Sequence, residues 1–412
     1  MKKALLLAWL LSPVAFASQT LFAPITSSTS SSNGLSNPAS GYLMVDRGDL
    51  RFGLALLEPV ALGYEIGDVD ALLDQVDDLQ DILDNGVSTP AEATAAKAEF
   101  DAFLSKAGEE GYVKTSVAGS VILFPALYSD QRYGSVTLDF SYGGIGKLNI
   151  LDDPNGVTIS GTSLSTESSV YEQRAIASTF GLGYRDSLLT NYYGDLIVGV
   201  KLNATQMKLT RKLSTIEYQG ENEDEGEETS FNIGADIGVL WVSENMSLGL
   251  TMSNINEPKY DLGELGDCTG VSGTALVNCS ASQYFATEGD IDLTGHYVAE
   301  RQTTAEFSLF LASRALSIQS AYDFNPIKDA TGDEYQWAEI ALNYLSDSFF
   351  IPGLRVGLKK NMAGTELSYA NAGITLFKYL NIDAGTTIDT VEVSDYRIPR
   401  SAYVNFGLAG AF

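Results

Sequence analysis

From Phe231 to Trp241 apolar and polar residues trade places at every step. In "TSFNIGADIGVLWV", Phe231, Ile233, Ala235, Ile237, Val239 and Trp241 share one face; Asn232, Gly234, Asp236 and Gly238 take the other. In "DLIVGVKLN", Leu196, Val198, Val200 and Leu202 oppose Ile197, Gly199, Lys201 and Asn203. In "RALSIQSAYDF", Leu316, Ile318, Tyr322 and Phe324 oppose Ala315, Ser317, Gln319 and Asp323. The same period runs through 303–312, 337–345, 353–359, 380–389 and 401–412. A period of two is that of a strand. About fourteen such segments, each about ten residues long, follow residue 111 or flank one helical insertion, and that length matches a tilted bilayer crossing. An apolar face beside a small or polar one is what a membrane barrel needs, with lipid outside and lumen inside. Aromatic residues gather at segment ends, as at Tyr192, Tyr193, Tyr297, Phe349, Phe350 and Tyr403, which suits interfacial girdles. The expected fold is an all-β transmembrane antiparallel barrel of about 14 strands, range about 12–16. A secreted β-sandwich would also alternate. Uniform alternation through the whole second half, and a last strand that ends the chain, favour the barrel.

One region breaks the period. In "IGDVDALLDQVDDLQDILDNG", Val69, Leu72, Leu73, Val76, Leu79, Ile82 and Leu83 recur at three- and four-residue steps, with Asp70, Asp74, Asp77, Asp78 and Asp81 opposite. That is an amphipathic helix with Gly86 just past its end. A second helix follows in "TPAEATAAKAEFDAFLSKAGEEG", with Thr89 as cap, Pro90 at the first helical position, Glu92 completing a capping box and Gly108 at the stop. Residues 66–108 therefore read as a helical hairpin inserted into a barrel that occupies 49–412.

The N-terminus explains how such a chain leaves the cytoplasm. In "MKKALLLAWLLSPVAFASQT", Lys2 and Lys3 precede a short apolar run and the small-x-small pattern Ala15-Phe16-Ala17. Residues 1–17 read as a signal peptide cleaved between Ala17 and Ser18. No apolar run long enough for a membrane helix follows. Residues 18–48 begin with a Ser/Thr/Asn-rich stretch, "SSTSSSNGLSNPAS".

Composition adds one constraint. Of 412 residues, 53 are acidic and 25 basic, for a net charge of −28. Such a surface repels phosphate backbones, so nucleic acid is not an expected partner. Loops in water and divalent cations suit it better.

Candidate chemistry is sparse. His296 stands alone in "DLTGHYVAERQ". A serine hydrolase needs a nucleophile, a base and an orienter in reach, and no G-x-S-x-G is present; a loop or girdle histidine is the plainer reading. Cys268 and Cys279, in "GDCTGVSGTALVNCS", read as a disulfide stapling a loop of an exported protein. The acidic stretch "ENEDEGEETS" lacks the spacing of a calcium loop and reads as a solvated turn. Arg301, Arg314, Arg355 and Lys359 are candidates for the lumen face, either tuning a pore or pairing with acids inside a closed barrel. No P-loop or dinucleotide fingerprint occurs. No catalytic, cofactor-binding or metal site, and no cofactor, is expected.

The last segment, "SAYVNFGLAGAF", carries a terminal aromatic, Phe412, and apolar residues at Val404, Phe406 and Leu408. This pattern resembles the assembly signal of Gram-negative outer-membrane barrels, with Gly410 departing from it. The resemblance implies the barrel assembly machinery as a partner, outer-membrane lipid and lipopolysaccharide as surroundings, and the outer membrane of a Gram-negative bacterium as location.

Longer stretches carry a family resemblance: "SNPASGY", "DLRFGL", "GYEIGDVDALLDQVDDLQDIL", "LIVGVKLNATQMKLTRK", "IGADIGVLWVSENMSLGLTMSNINEPKY" and "HYVAERQTTAEFSLFL". They resemble the conjugal transfer TraF-like outer-membrane proteins. The thioredoxin-like periplasmic protein of similar label is excluded, since no C-x-x-C exists here. The family is similar in architecture to FadL-type barrels, where an Asn-Pro-Ala motif lies in an N-terminal segment that plugs the lumen. Asn37, Pro38 and Ala39 stand in the matching place, and the resemblance implies a plug over 18–48. It also implies an envelope component of a conjugation or surface system, with 66–108 as a docking element for an envelope partner. The other implied function is a passive channel for hydrophobic or small solutes. The hairpin departs from a plain FadL-type barrel.

Overall fold

The computed structural model describes residues 37–40, 50–52, 60–120, 126–130, 134–218, 222–311, 315–344, 346, 348–377, 380–394 and 396–408. The signal peptide, its cleavage point at Ala17 and Ser18, Arg314, Gly410 and Phe412 lie outside these residues, as does all but 37–40 of the segment 18–48.

Fourteen strands close into one antiparallel ring: β1 (Val60–Ile66), β2 (Tyr112–Ser120), β3 (Gly134–Leu151), β4 (Ser169–Asn191), β5 (Gly194–Thr215), β6 (Asp224–Val242), β7 (Met246–Ser253), β8 (Gln302–Leu311), β9 (Leu316–Asp323), β10 (Trp337–Tyr344), β11 (Gly353–Asn361), β12 (Ser368–Leu376), β13 (Leu380–Thr387) and β14 (Ser401–Leu408). Each pairs with the next in sequence, and β14 pairs with β1. Two short strands, Leu50–Phe52 and Ala126–Asp130, pair with each other, and the second pairs with the start of β3. They continue the lines of β1 and β2 and leave the ring at fourteen. Closure matters physically, because an open edge in lipid would leave backbone groups without partners. The last strand does this: Val60 faces Phe406, and Phe406 faces Ile382 on its other side.

The alternation maps onto the two sides of the wall. On β6, Phe231, Ile233, Ile237 and Val239 are exposed, while Gly234, Gly238 and Leu240 are buried. Neighbouring strands add Phe180, Leu182, Tyr184, Val200, Leu202, Leu248 and Leu250 to the same outer face. Across the ring, Ile340, Leu342, Leu354, Val356 and Leu358 do likewise. From Phe231 to Trp241 the apolar run covers about 34 Å of strand at about 3.4 Å per residue. At a tilt of about 40° that is about 26 Å, the height of a barrel's lipid-facing band. Above Phe231 the same face turns polar: Lys208 pairs with Glu227 at 2.7 Å, and Lys212 with Glu225 at 3.0 Å.

Strands β3 to β6 run 18 to 23 residues, about twice the expected length. Their upper halves leave the band and form a wall covered on both faces. On the outer face lie α1 (Leu72–Asn85) and α2 (Pro90–Glu110), the expected hairpin. Leu79 and Leu104, both fully buried, pack with Phe100 and Phe103 against Ile150, Val170 and Ile216. On the inner face lies the segment between β7 and β8, with α3 (Thr274–Glu288). Its Leu265, Ala281, Phe285 and Ile291 pack on Leu151, Tyr171 and Leu213.

Three local readings change. Gly108 does not end α2; the helix runs to Glu110, and Gly111 caps it by donating to Ala107 O at 2.7 Å. Gly108 serves packing instead, since a Cβ there would lie 2.7 Å from Asp152 Cβ. The acidic stretch is not all turn, because Asp224 to Glu228 already belong to β6. The Gly/Ser-rich cysteine region holds a helix, α3, which a near-absent apolar periodicity concealed.

The two longest connections, β1–β2 and β7–β8, leave one end of the ring, the end that carries α1, α2 and α3. Most of the turns at the other end are short, as between β4 and β5, where only Tyr192 and Tyr193 intervene.

Candidate functional site

The lumen is lined by small and charged side chains from the inward parity. On one wall Lys201 Nζ lies 3.1 Å from Asp139 Oδ1, and Asn203 Nδ2 donates to Asp236 at 2.6 Å. Gly181 leaves room for the Asp139 carboxylate, whose oxygens would lie 2.4–2.5 Å from a Cβ there. On the opposite wall Arg355 Nε donates to Asp383 Oδ1 at 2.8 Å. Lys359 Nζ stands 4.1 Å from the Trp337 ring centroid and faces Glu339 across the β10–β11 ladder. Arg355 and Lys359 thus take the lumen face, paired with acids or aromatics. Arg301 is exposed just before β8. Charges held this way satisfy one another rather than standing free.

Asn37, Pro38 and Ala39 form a tight turn inside this ring. Asn37 Oδ1 accepts from Ala39 N at 2.9 Å, and Ser40 N donates to Asn37 O at 3.0 Å. Asn37 and Ala39 are buried, and Ala39 packs on Ile197 and Leu240. The wall beneath is stripped of side chains. A Cβ on Gly238 would lie 2.1 Å from Asn37 Oδ1; one on Gly199 would lie 2.4 Å from Pro38 C. Gly199 and Gly238 are register partners on β5 and β6. Gly249 on β7 brings Glu306 and Asn37 Nδ2 together over a third bare position. The three glycines make a seat for backbone, a use of glycine that sequence reading alone passed over.

The mouth at the long-loop end is filled by two connections. The segment between β7 and β8 lies on the inner face of the wall, with Tyr260 packed among Ile145, Ala175, Ala177, Met207 and Leu209. Arg211, 3% exposed, fastens it by donating to the carbonyls of Gly263, Asp292 and Leu293. The segment between β9 and β10 reaches across the opening. Its Asp329 and Asp333 accept from Lys114 at 2.5 and 2.7 Å, and Asp333 also accepts from Lys147 at 2.6 Å. Burial raises the Asp333 carboxyl, but Lys114 and Lys147 outweigh it and hold the group below the usual carboxylate range.

Cys268 and Cys279 are joined by a disulfide with Cα atoms 5.7 Å apart. Asn278 beside it is fully buried and accepts from Thr215 N at 3.0 Å, which ties α3 to the top of β5. His296 is exposed on a two-stranded ribbon of three residue pairs, opposite Asp261. No hydroxyl nucleophile hydrogen-bonds to it among the described residues. No cluster of three or more His, Cys, Asp or Glu able to hold a metal occurs among the described residues. Val404 and Phe406 face outward on β14, and the backbone of Leu408 pairs with Leu380.

A family model described as the F plasmid transfer operon TraF protein matches residues 34–323. No curated protein sequence matches the chain. Among solved structures, a FadL homologue of Pseudomonas aeruginosa is similar at 11% identity and a TM-score of 0.36, over 91% of this chain and 92% of that one. Outer membrane phospholipase A from Escherichia coli is similar at 10% identity and 0.25, over 87% and 92%. The siderophore receptor PiuA from Acinetobacter baumannii is similar at 10% identity and 0.29, over 73% and 56%. The family match spans more than two thirds of the chain and takes in the seat of the Asn37–Ala39 turn, the hairpin and the whole β3–β6 wall. The chain belongs to the family described as the F plasmid transfer operon TraF protein.

Proposed function

We propose that this chain is an outer-membrane barrel that serves as an envelope component of a conjugation or similar surface system. The single observation that carries this reading is the head at the long-loop end. Strands β3 to β6 continue past the lipid band, and both faces of that wall are built up with helices. A pore needs no such superstructure. Barrels of this class keep short turns on the periplasmic side and long loops outside, so the head faces the cell exterior. Its outer helices present Asp78, Asp81 and Asp84 to solvent for a partner with complementary charge. The apolar face of the hairpin is already used against the wall, so docking falls to its polar face. The closing strand is read by the barrel assembly machinery, and the outer surface meets lipid and lipopolysaccharide. Residues 1–17 are removed on export. No catalysis is assigned, and the exposed His296 is a surface residue.

The second reading is a passive channel for hydrophobic or small solutes, closed by the N-terminal segment. The seating of the Asn37–Ala39 turn on bare backbone supports it, since such a contact releases without breaking a core. Deleting 72–110 while the barrel keeps its heat-modifiable gel migration separates the two. Loss of conjugative transfer supports the envelope role; unchanged transfer, with bilayer conductance appearing on deletion of 18–48, overturns it in favour of the channel.

A further inference from the structure

Lys114 and Lys147 are direct register partners on β2 and β3, and their side chains are only 4% and 14% exposed. Two ammonium groups side by side on a strand pair repel, and burial makes the repulsion worse. The barrel answers with carboxylates brought from far away. Asp329 and Asp333 lie on the connection between β9 and β10, and those strands stand seven places round the ring from β2 and β3. The connection therefore spans the whole opening.

Its tip is pre-shaped. Asp329 Oδ1 accepts from Thr331 N and Thr331 Oγ1, each at 2.8 Å, and Asp329 N donates to Asp333 O at 3.0 Å. That folds the turn so that Asp329 Oδ2 and both oxygens of Asp333 aim at the two lysines. Tyr335 OH accepts from Lys114 at 2.5 Å, and Lys147 Nζ lies 5.2 Å from the centroid of the Tyr112 ring. The neighbouring acid, Glu65, is held by Tyr112 OH at 2.6 Å and Tyr369 OH at 3.3 Å. With the loop withdrawn, two lysines face one carboxylate. The pocket is then cationic within a chain of net charge −28.

We infer that the Lys114–Lys147 pair is an oxyanion site, that the loop's own aspartates are its resident occupants, and that a phosphate- or carboxylate-bearing solute binds there by displacing them. The exchange is like for like. Lys114 gives up two charge-assisted contacts to carboxylates and Lys147 one; the incoming anion restores at least one to each, so neither ammonium is left buried without an anion. The loop's other holds on that side are the packing of Ala330 and two contacts of Lys328 at the base of the tip, whose N donates to Glu300 Oε2 at 2.7 Å and whose O accepts from Tyr297 OH at 3.4 Å. Displacement swings the tip out and uncovers the lumen. The site is independent of whether anything then passes through the barrel.

Inorganic phosphate and, separately, succinate are titrated against the full-length detergent-solubilised chain and against Asp329→Asn/Asp333→Asn. The neutral tip competes poorly, so the variant is expected to bind at least one of these anions about tenfold tighter than the parent. Adding Lys114→Met and Lys147→Met is expected to abolish the gain. Phosphate binding alone points to a phosphoryl ligand, and succinate alone to a carboxylate. Equal weak binding by parent and variant, both heat-modifiable, overturns the inference; so does a gain that survives loss of the lysines. A second measurement leaves the clasp itself intact. The native cysteines are paired, so Ala330→Cys supplies a lone thiol. Saturating anion is expected to accelerate its labelling, and a labelling rate indifferent to both anions overturns the inference as well.

Discussion

Arg355 Nε on β11 donates to Asp383 Oδ1 on β13 at 2.8 Å, over the backbone of a strand that lies between them. The residue crossed is Gly373, where a Cβ would lie 1.8 Å from Asp383 Oδ1 and 2.9 Å from Arg355 Nε. The ion pair exists because that position is bare. Gly373→Val is expected to break it, leaving Arg355 to its contacts with Thr375 and Asn381 and turning the part-exposed Asp383 carboxylate toward water. The cost is about 1.5–3 kcal/mol, the range for a hydrogen bond to a charged group, because the Asp383 side chain is 31% exposed. It is read as a lower temperature for loss of the compact form in heat-modifiability gels. Unchanged migration at every temperature counts against the pair as a wall contact.

The glycine seat predicts a separable effect. Gly238→Leu puts a side chain where Asn37 Oδ1 now lies, while the outward face of β6 keeps its lipid contacts. The barrel is expected to assemble normally and the Asn37–Ala39 turn to be expelled. Protease added from the short-turn side in inverted vesicles is expected to cut near residue 40 faster than in the parent. Equal cutting rates mean the turn does not depend on that seat.

Much of this architecture was legible from residues alone, and the rest was not, for physical reasons. The β6 band from Phe231 to Trp241 alternates because lipid covers one face and lumen the other. Higher up, both faces are covered by protein, so "KLNILDD" and "LTRKLSTI" lose the alternation and hide the length of the strands. The α1 stripe is visible because one side meets water. Helix α3 is not, because buried positions include Asn278 and Ser282 beside Cys279 and Phe285. The Asn37–Pro38–Ala39 motif could be seen, but its receptors Gly199, Gly238 and Gly249 lie on three separate strands. Lys114 and Asp333 are 219 residues apart, and nothing local in either segment announces their contact.

The hairpin rests on a few large side chains. Leu79 is fully buried between α2 and the wall. Leu79→Ala leaves a cavity and is expected to cost about 2–5 kcal/mol, more than a two-helix insertion can absorb while staying docked. The helices are expected to become protease-sensitive on intact cells while the barrel resists. The same experiment reads the side of the membrane: cleavage from outside places the head outside, and protection until the cells are opened places it within.

Removing the disulfide acts on a different part of the head. Cys268 and Cys279 close a short loop at the start of α3, 11 residues apart. Replacing both with Ser frees that loop and is expected to cost about 3 kcal/mol of local stability. Asn278 and Phe285 still anchor the helix from below. Hydrogen exchange is therefore expected to rise over 267–278 and to stay slow over 281–288. Collapse of protection across the whole wall means that the disulfide, not the apolar packing, holds α3.

The clasp at the mouth has an acid limit whose direction follows from Asp333. Its carboxyl is held below the ordinary range because Lys114 and Lys147 outweigh the effect of burial. A depressed group favours the closed state above its ordinary pKa of about 3.9, and that contribution fades as pH falls through the lowered value. Amide protection of residues 327–335 is therefore expected to hold from neutral pH down to the ordinary carboxylate pKa of about 3.9 and to drop only below it, after correction for intrinsic exchange. Asp333→Asn is expected to remove most of that step while leaving protection on β10 unchanged. Loosening that begins near pH 6 instead would mean that the lysines do not control Asp333, and that another group governs the opening.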